Sequence, residues 1–191
     1  ILENTERAVR KLGVDYMRFK SNWQVVKKLM RESFIRKGDI MWHSHCGIYA
    51  YPMHIAVKHK IPLIIWGEQT SEYVSYYSYK EKEQVDEKRF NRVVNLGINA
   101  EDMVGMLDGS VTMRDLEPYT YPKIKDLREI GYRSICLGTY VPWDTKKQSE
   151  RIRDELGWKG DQVEGIPFDR YWYEKVEDGF QGIQDYLKWL K

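Results

Sequence analysis

The chain has 191 residues, 42% of them hydrophobic and 31% charged, which fits one soluble globular domain or one domain with an appendage. With 31 Lys and Arg against 29 Asp and Glu, the net charge of +2 gives no case for nucleic-acid binding. No apolar run in these residues is long enough to span a bilayer, no signal-peptide pattern is read in them, and Cys46 and Cys136 have no paired spacing, so free thiols in a reducing cytoplasm are expected.

The first residues run straight into a helical pattern and the closing D-Y-L-K-W-L-K stops inside another, so both edges read as cuts in a longer protein. Asn4 or Thr5 can cap a first helix that carries Ala8, Val9 and Leu12 on one face and ends at Gly13. Val14 to Phe19 alternates like a strand. Ser21 or Asn22 then caps a helix through Lys37, with Val26, Leu29, Met30 and Phe34 at helical spacing and Gly38 as its stop. Residues 38–47, G-D-I-M-W-H-S-H-C-G, read as a loop, and I-Y-A-Y-P-M-H-I-A-V-K-H-K after it as a helix that tolerates Pro52 early or kinks there.

Pro62 to Trp66 reads as a strand, followed by a polar, tyrosine-rich rim over 69–82. The mixed charges of 80–89 suit a solvated face. Helices are expected over about 83–96 and 100–107, the second capped by Asn99 with Glu101 and Asp102 in its favoured acidic first turn. Asp108-Gly109-Ser110 reads as a turn, 121–130 as a helix and 132–140 as a second buried strand. Asp144 or Thr145 opens a helix to Leu156, and after an irregular stretch a last helix runs from about Asp178 to Leu190. Helix and strand in alternation predict βαβ units, hence an α/β fold with a parallel sheet flanked by helices. Residues 1–140 carry that pattern, and 141–191 form a helical C-terminal part.

The segment I-P-L-I-I-W-G-E-Q-T-S-E-Y, 61–73, holds the strongest functional signal. A short apolar run without alternation suits a strand buried on both faces of a parallel sheet. Ligands of such sheets sit beyond the carboxyl ends of the strands, where Gly67 and Glu68 would lie. Glu68 and Glu72 are four apart, so a helical turn after Gly67 would point both carboxylates one way, as a Mg²⁺ site with substrate phosphates needs. An exposed acid pair or a helix-start carboxylate is the bland alternative. His43, His45 and Cys46 are all able to bind zinc if an extended loop points them together, although four ligands are not on hand. His45 could instead meet a phosphate at the head of a helix starting near Gly47, or pack as an ordinary loop histidine. His54 and His59 have structural explanations. There is no Ser/His/Asp order, G-x-S-x-G motif or Walker phosphate loop.

H-C-G-I-Y-A-Y-P (45–52), A-V-K-H-K-I-P-L-I-I-W-G-E (56–68) and Glu72-Tyr73 together resemble the N-acetyl sugar amidotransferases of bacterial surface-polysaccharide synthesis (lipopolysaccharide O-antigens among them). These belong to the PP-loop ATP pyrophosphatase superfamily. K-L-G-V-D-Y, V-V-K-K-L-M and the closing D-G-F-Q-G-I-Q-D-Y-L-K-W-L-K extend the resemblance over essentially the entire chain. It implies an adenine-nucleotide-binding α/β fold of the PP-loop type over 1–140. It also implies a cytoplasmic, ATP- and Mg²⁺-dependent enzyme. ATP would adenylate the carbonyl oxygen of an N-acetyl group on a nucleotide-linked acetamido sugar, releasing pyrophosphate. Ammonia from a glutaminase partner with its cyclase-like companion would then displace AMP and leave an acetamidino group.

On that resemblance Glu68 and Glu72 are the catalytic candidates, Glu68 also the Mg²⁺ ligand, and His45, Gly47, Gly67 and Tyr73 line the substrate or nucleotide. The superfamily's S-G-G-x-D-S phosphate loop does not occur in these residues, and is expected upstream, in line with an internal piece. Two other readings remain open: a non-catalytic module that binds a sugar nucleotide, and a PP-loop enzyme with another acceptor such as tRNA. A near-neutral charge and the lack of a C-x-x-C pair speak against the tRNA acceptor.

Overall fold

The structure, a computed structural model, describes residues 2–67, 94–137, 140–142 and 144–159. They fall into two compact units, one within 21–142 and one in which residues 2–20 group with 144–159.

The larger unit begins with α1 (Trp23–Lys37). The Asn22 side chain accepts from the Gln24 amide and Gly38 takes the left-handed conformation at φ 65°, so both ends are closed as expected. Its buried stripe is Val26, Leu29 and Ser33, with Glu32 held by Arg36 at 2.6 Å; Phe34 is 42% exposed instead of joining the core. α2 (Trp42–His59) follows. The expected loop over 38–47 is therefore corrected: from Trp42 onward it is helix. The cause is Trp42, whose buried indole anchors the chain here, with Cys46, Ala50, Met53 and Ala56 continuing one apolar stripe. Pro52 lies inside this helix, where its ring removes one backbone donor.

The strand β1 (Leu63–Trp66) pairs in parallel with β2 (Arg133–Cys136), Leu63 opposite Arg133 and Trp66 opposite Cys136. Between them come α3 (Ala100–Met106), α4 (Met113–Leu116), a 3-10 turn (Glu117–Tyr119) and α5 (Ile124–Glu129). The fold is thus mixed helix with a small parallel sheet of two strands among the described residues, compatible with helices flanking it. Asn99 and Asp102 cap α3 reciprocally, and Thr112 and Asp115 do the same for α4. The helix expected over 121–130 starts at Ile124, and the turns before it had no signal in the apolar spacing.

One expectation for β1 is overturned. Leu63 and Ile65 are 46% and 56% exposed, so the strand is not buried on both faces. Pleating divides it: Ile64 and Trp66 turn toward α2, Leu63 and Ile65 to the opposite face. A continuous apolar run cannot reveal that asymmetry, because every position in it looks equally fit for burial.

The core of this unit joins Leu29, Trp42, Cys46, Met103, Leu116 and Tyr119. Trp42 Nε1 donates to the carbonyls of Asn95 and Ile98 at 3.0 and 3.2 Å, tying α2 to the residues before α3. His54 Nε2 donates to the Thr120 carbonyl at 2.7 Å, fixing the same helix to the turn after Tyr119.

In the smaller unit α6 (Leu2–Leu12) meets α7 (Thr145–Leu156). Asn4 does not cap the first of these helices; it lies within it and exchanges two hydrogen bonds with the Lys159 backbone, 2.7 and 2.9 Å long. Arg7 donates to the Gly157 carbonyl and Lys11 to that of Glu155, so one face of α6 satisfies carbonyls around the end of α7. Gly13 and Gly157 end the two helices in the left-handed conformation, and Asp144 caps α7. Val14 to Phe19 forms no strand, since no ladder partner stands beside it among the described residues, and Val14, Tyr16, Met17 and Phe19 are exposed. The expected rim over 69–82, the helix over 83–93 and the last helix lie outside the described residues.

Replacing Trp42 by Phe keeps most of the packing and removes the donor from two buried carbonyls. Urea unfolding of Trp42→Phe should show a loss of about 1–3 kcal/mol. An unchanged midpoint would mean that these bonds do not hold α2 in place.

Candidate functional site

The carboxyl end of β1, where Trp66 leads into Gly67, is the described part of the candidate site. Glu68, Glu72 and Tyr73 lie outside the described residues, so their geometry is not part of it. Gly67 is exposed and no described atom lies within 4 Å of where its Cβ would be. Among the described residues nothing around it requires a glycine.

The helix α2 reaches this end by running antiparallel to β1. Its C-terminal residues hand directly to the strand, with the Ile61 amide on the Ala56 carbonyl at 2.9 Å. Further back along the helix, the Tyr49 ring meets the Trp66 indole with centroids 5.1 Å apart. Trp66 Nε1 donates to Ser134 Oγ at 2.7 Å, so the indole lies across to β2 and is held there. His45 is one helical turn before Tyr49, on the same stripe and nearer the helix N-terminus. The structure therefore brings His45 and Gly67 to the same end of the helix–strand pair.

The extended-loop reading of His43, His45 and Cys46 is corrected. In a helix His43 and His45 point about 200° apart, so they do not converge on one ion. Cys46 faces the core, its Sγ 4.0 Å from the Val94 carbonyl, and no group of three metal-binding side chains exists among the described residues. The head of the helix also moves. The His45 amide already donates to the Met41 carbonyl at 2.9 Å, so the amides without a helical acceptor are those of Trp42, His43 and Ser44, not those near Gly47. Gly47 sits inside the helix against Tyr119, whose ring carbons stand 3.4 Å from the position of its missing Cβ. That contact explains the glycine by packing.

The electrostatics separate core from edge. Burial, and after it the Asp39 charge, pushes the Cys46 thiol far above its usual value, which makes it an inert core group. Burial also raises Tyr119, partly offset by its hydrogen bond with Ser21. Asp39 accepts from the Met41 amide at 2.6 Å just ahead of α2.

Tyr49, Trp66 and Ser134 are the members of this edge that sequence reasoning passed over. The usable signal was Ser134, a polar residue inside the apolar run of the second strand, which has to find a partner when buried. Comparison of the chain with protein-family models and with curated proteins returns no match.

Two outcomes follow from this geometry. Gly47→Ala should lie within about 1 kcal/mol of the parent, since helix propensity offsets a tight contact, whereas Gly47→Leu should lose about 1–3 kcal/mol in urea unfolding. Equal stability of both would remove the packing explanation. For Cys46, the folded pKa is raised, so the stability it confers is complete below the unfolded value of 9.0 and is lost as pH rises beyond it. Between pH 9 and 10.5 the parent should lose up to about 1.4 kcal/mol per pH unit relative to Cys46→Ala. Parallel stability profiles for the two proteins would contradict a buried, neutral thiol.

Proposed function

We propose that the chain carries part or all of an ATP-dependent amidotransferase that converts the N-acetyl group of a nucleotide-linked sugar to an acetamidino group. The reading rests on the sequence resemblance over residues 45–73 and is supported by one structural observation. The parallel pairing of β1 with β2 puts Gly67 at the carboxyl edge of a parallel sheet, and Glu68 is the next residue in sequence. That edge is where α/β folds bind their ligands.

The chemistry explains why such a site needs ATP. An amide carbonyl is a weak electrophile with a poor leaving group. Transfer of AMP to its oxygen creates a leaving group, pyrophosphate departs, and ammonia adds at the carbon before AMP is expelled. In this proposal Glu68 holds Mg²⁺ against the phosphates, Glu72 is its second carboxylate, and His45 meets a phosphate or sugar group from α2. Mg²⁺ would neutralise charge on the phosphates during adenylyl transfer. Tyr73 and Gly67 complete the lining, and a glutaminase with its cyclase-like companion supplies the ammonia.

The test incubates the chain with ATP, Mg²⁺, ammonium and nucleotide-linked acetamido sugars, following AMP and, by mass spectrometry, replacement of the acetamido oxygen by NH. Both products are expected, and Glu68→Gln should abolish both while the circular dichroism spectrum is retained. Full turnover in Glu68→Gln would remove that residue from the mechanism. Folded protein that binds the sugar nucleotide and forms no AMP would favour a binding module instead.

A further inference from the structure

We propose that Tyr49 and Trp66 form the stacking wall for a nucleobase at the carboxyl end of β1, an inference that rests on the nucleotide-using function above and adds to it the part of the site that grips the base. The two rings come from different elements, the helix α2 and the last residue of β1, and meet at 5.1 Å with an interplanar angle of 42°. Both are only half-buried, unlike Trp42 in the same unit, which is fully enclosed.

The indole N–H is already bonded to Ser134 Oγ at 2.7 Å. Its polar requirement is met by the protein, its orientation is set, and what it offers a ligand is its π surface. Stacking on such a surface tolerates any base and excludes none by hydrogen bonding. The position suits a nucleotide as well. From Tyr49 back to Trp42 the helix continues for roughly 10 Å, away from the start of β1, so it runs on beyond the level of Trp66. His45 stands on that overhang, on the same stripe as Tyr49. A base lying on the rings would have its phosphates on the His45 side, next to the exposed Gly67.

The base could belong to ATP or to the nucleotide of the sugar, and the shared chemistry is a planar heterocycle joined to phosphates. Isothermal titration of the full chain with Mg²⁺ and, separately, ATP, UDP-N-acetylglucosamine and inorganic tripolyphosphate tells them apart. Tyr49→Leu and Trp66→Leu should weaken binding of the base-bearing ligand roughly ten-fold, and Tyr49→Phe should leave it nearly unchanged. Tripolyphosphate, which has no base, should bind all variants alike. Loss with ATP alone assigns the wall to adenine; loss with the sugar nucleotide alone assigns it to the other base.

Two results overturn the proposal while leaving the amidotransferase reading in place: parental affinity for both ATP and UDP-N-acetylglucosamine in folded Tyr49→Leu, or a parent that binds neither nucleotide more tightly than tripolyphosphate. A parent chain that binds neither nucleotide overturns both. Should Trp66→Leu fail to fold, Tyr49→Leu decides alone, since it leaves the bond between Trp66 and Ser134 in place.

Discussion

The indole of Trp42 sets the arrangement of the larger unit. It is buried at the start of α2, and its single N–H is shared by the carbonyls of Asn95 and Ile98. A buried indole without an acceptor, or two carbonyls without a donor, would carry a desolvation cost that packing alone does not offset. The helix can therefore adopt only the rotation that keeps this bond. Given that rotation, Cys46 and Ala50 point into the core, Gly47 comes under the Tyr119 ring and His54 reaches the Thr120 carbonyl. The stripe left facing the strand is the one that carries His45 and Tyr49.

A second constraint acts on the sheet. Parallel strands present their carboxyl ends to the same side, and β1 and β2 are held in register there by backbone pairing and by the bond from Trp66 to Ser134. The pleat then sends alternate residues of β1 to different surroundings: Ile64 and Trp66 under α2, Leu63 and Ile65 to an exposed face. The edge thus carries a fixed aromatic residue followed directly by the exposed Gly67. The smaller unit obeys a different economy. There, side chains of α6 supply hydrogen bonds to the carbonyls at the end of α7, a task that left-handed glycine and solvent usually share.

Local chemistry was legible wherever a residue acts on its own neighbours. Asn22, Asn99 and Asp144 as caps, Gly13 and Gly38 as stops, and the apolar run of β1 all follow from short-range rules, because a cap or a left-handed turn is satisfied within a few residues. Reading failed where a distant partner decided. Residues 42–47 looked like a loop because His43, Ser44, His45 and Gly47 have weak helix propensity; the Trp42 anchor outweighs that preference. Asn4 looked like a cap and is engaged by the backbone of Lys159. Val14 to Phe19 has strand-like alternation, yet a strand exists only where another backbone accepts its hydrogen bonds.

The candidate site divides along the same line. Sequence by itself determined that an apolar strand ends just before Gly67 and that a helix precedes it; the ATP-dependent chemistry is a proposal drawn from resemblance. It also determined the caps that start and stop most helices. Only the tertiary structure decided the register of β1 against β2, that one face of β1 is left exposed, and that Tyr49 and Ser134 fix Trp66 beside Gly67. The physical reason is range: caps and turns are settled by bonds within one turn of chain. The rotation of α2 and the placing of its residues depend on Trp42 meeting carbonyls more than fifty residues away.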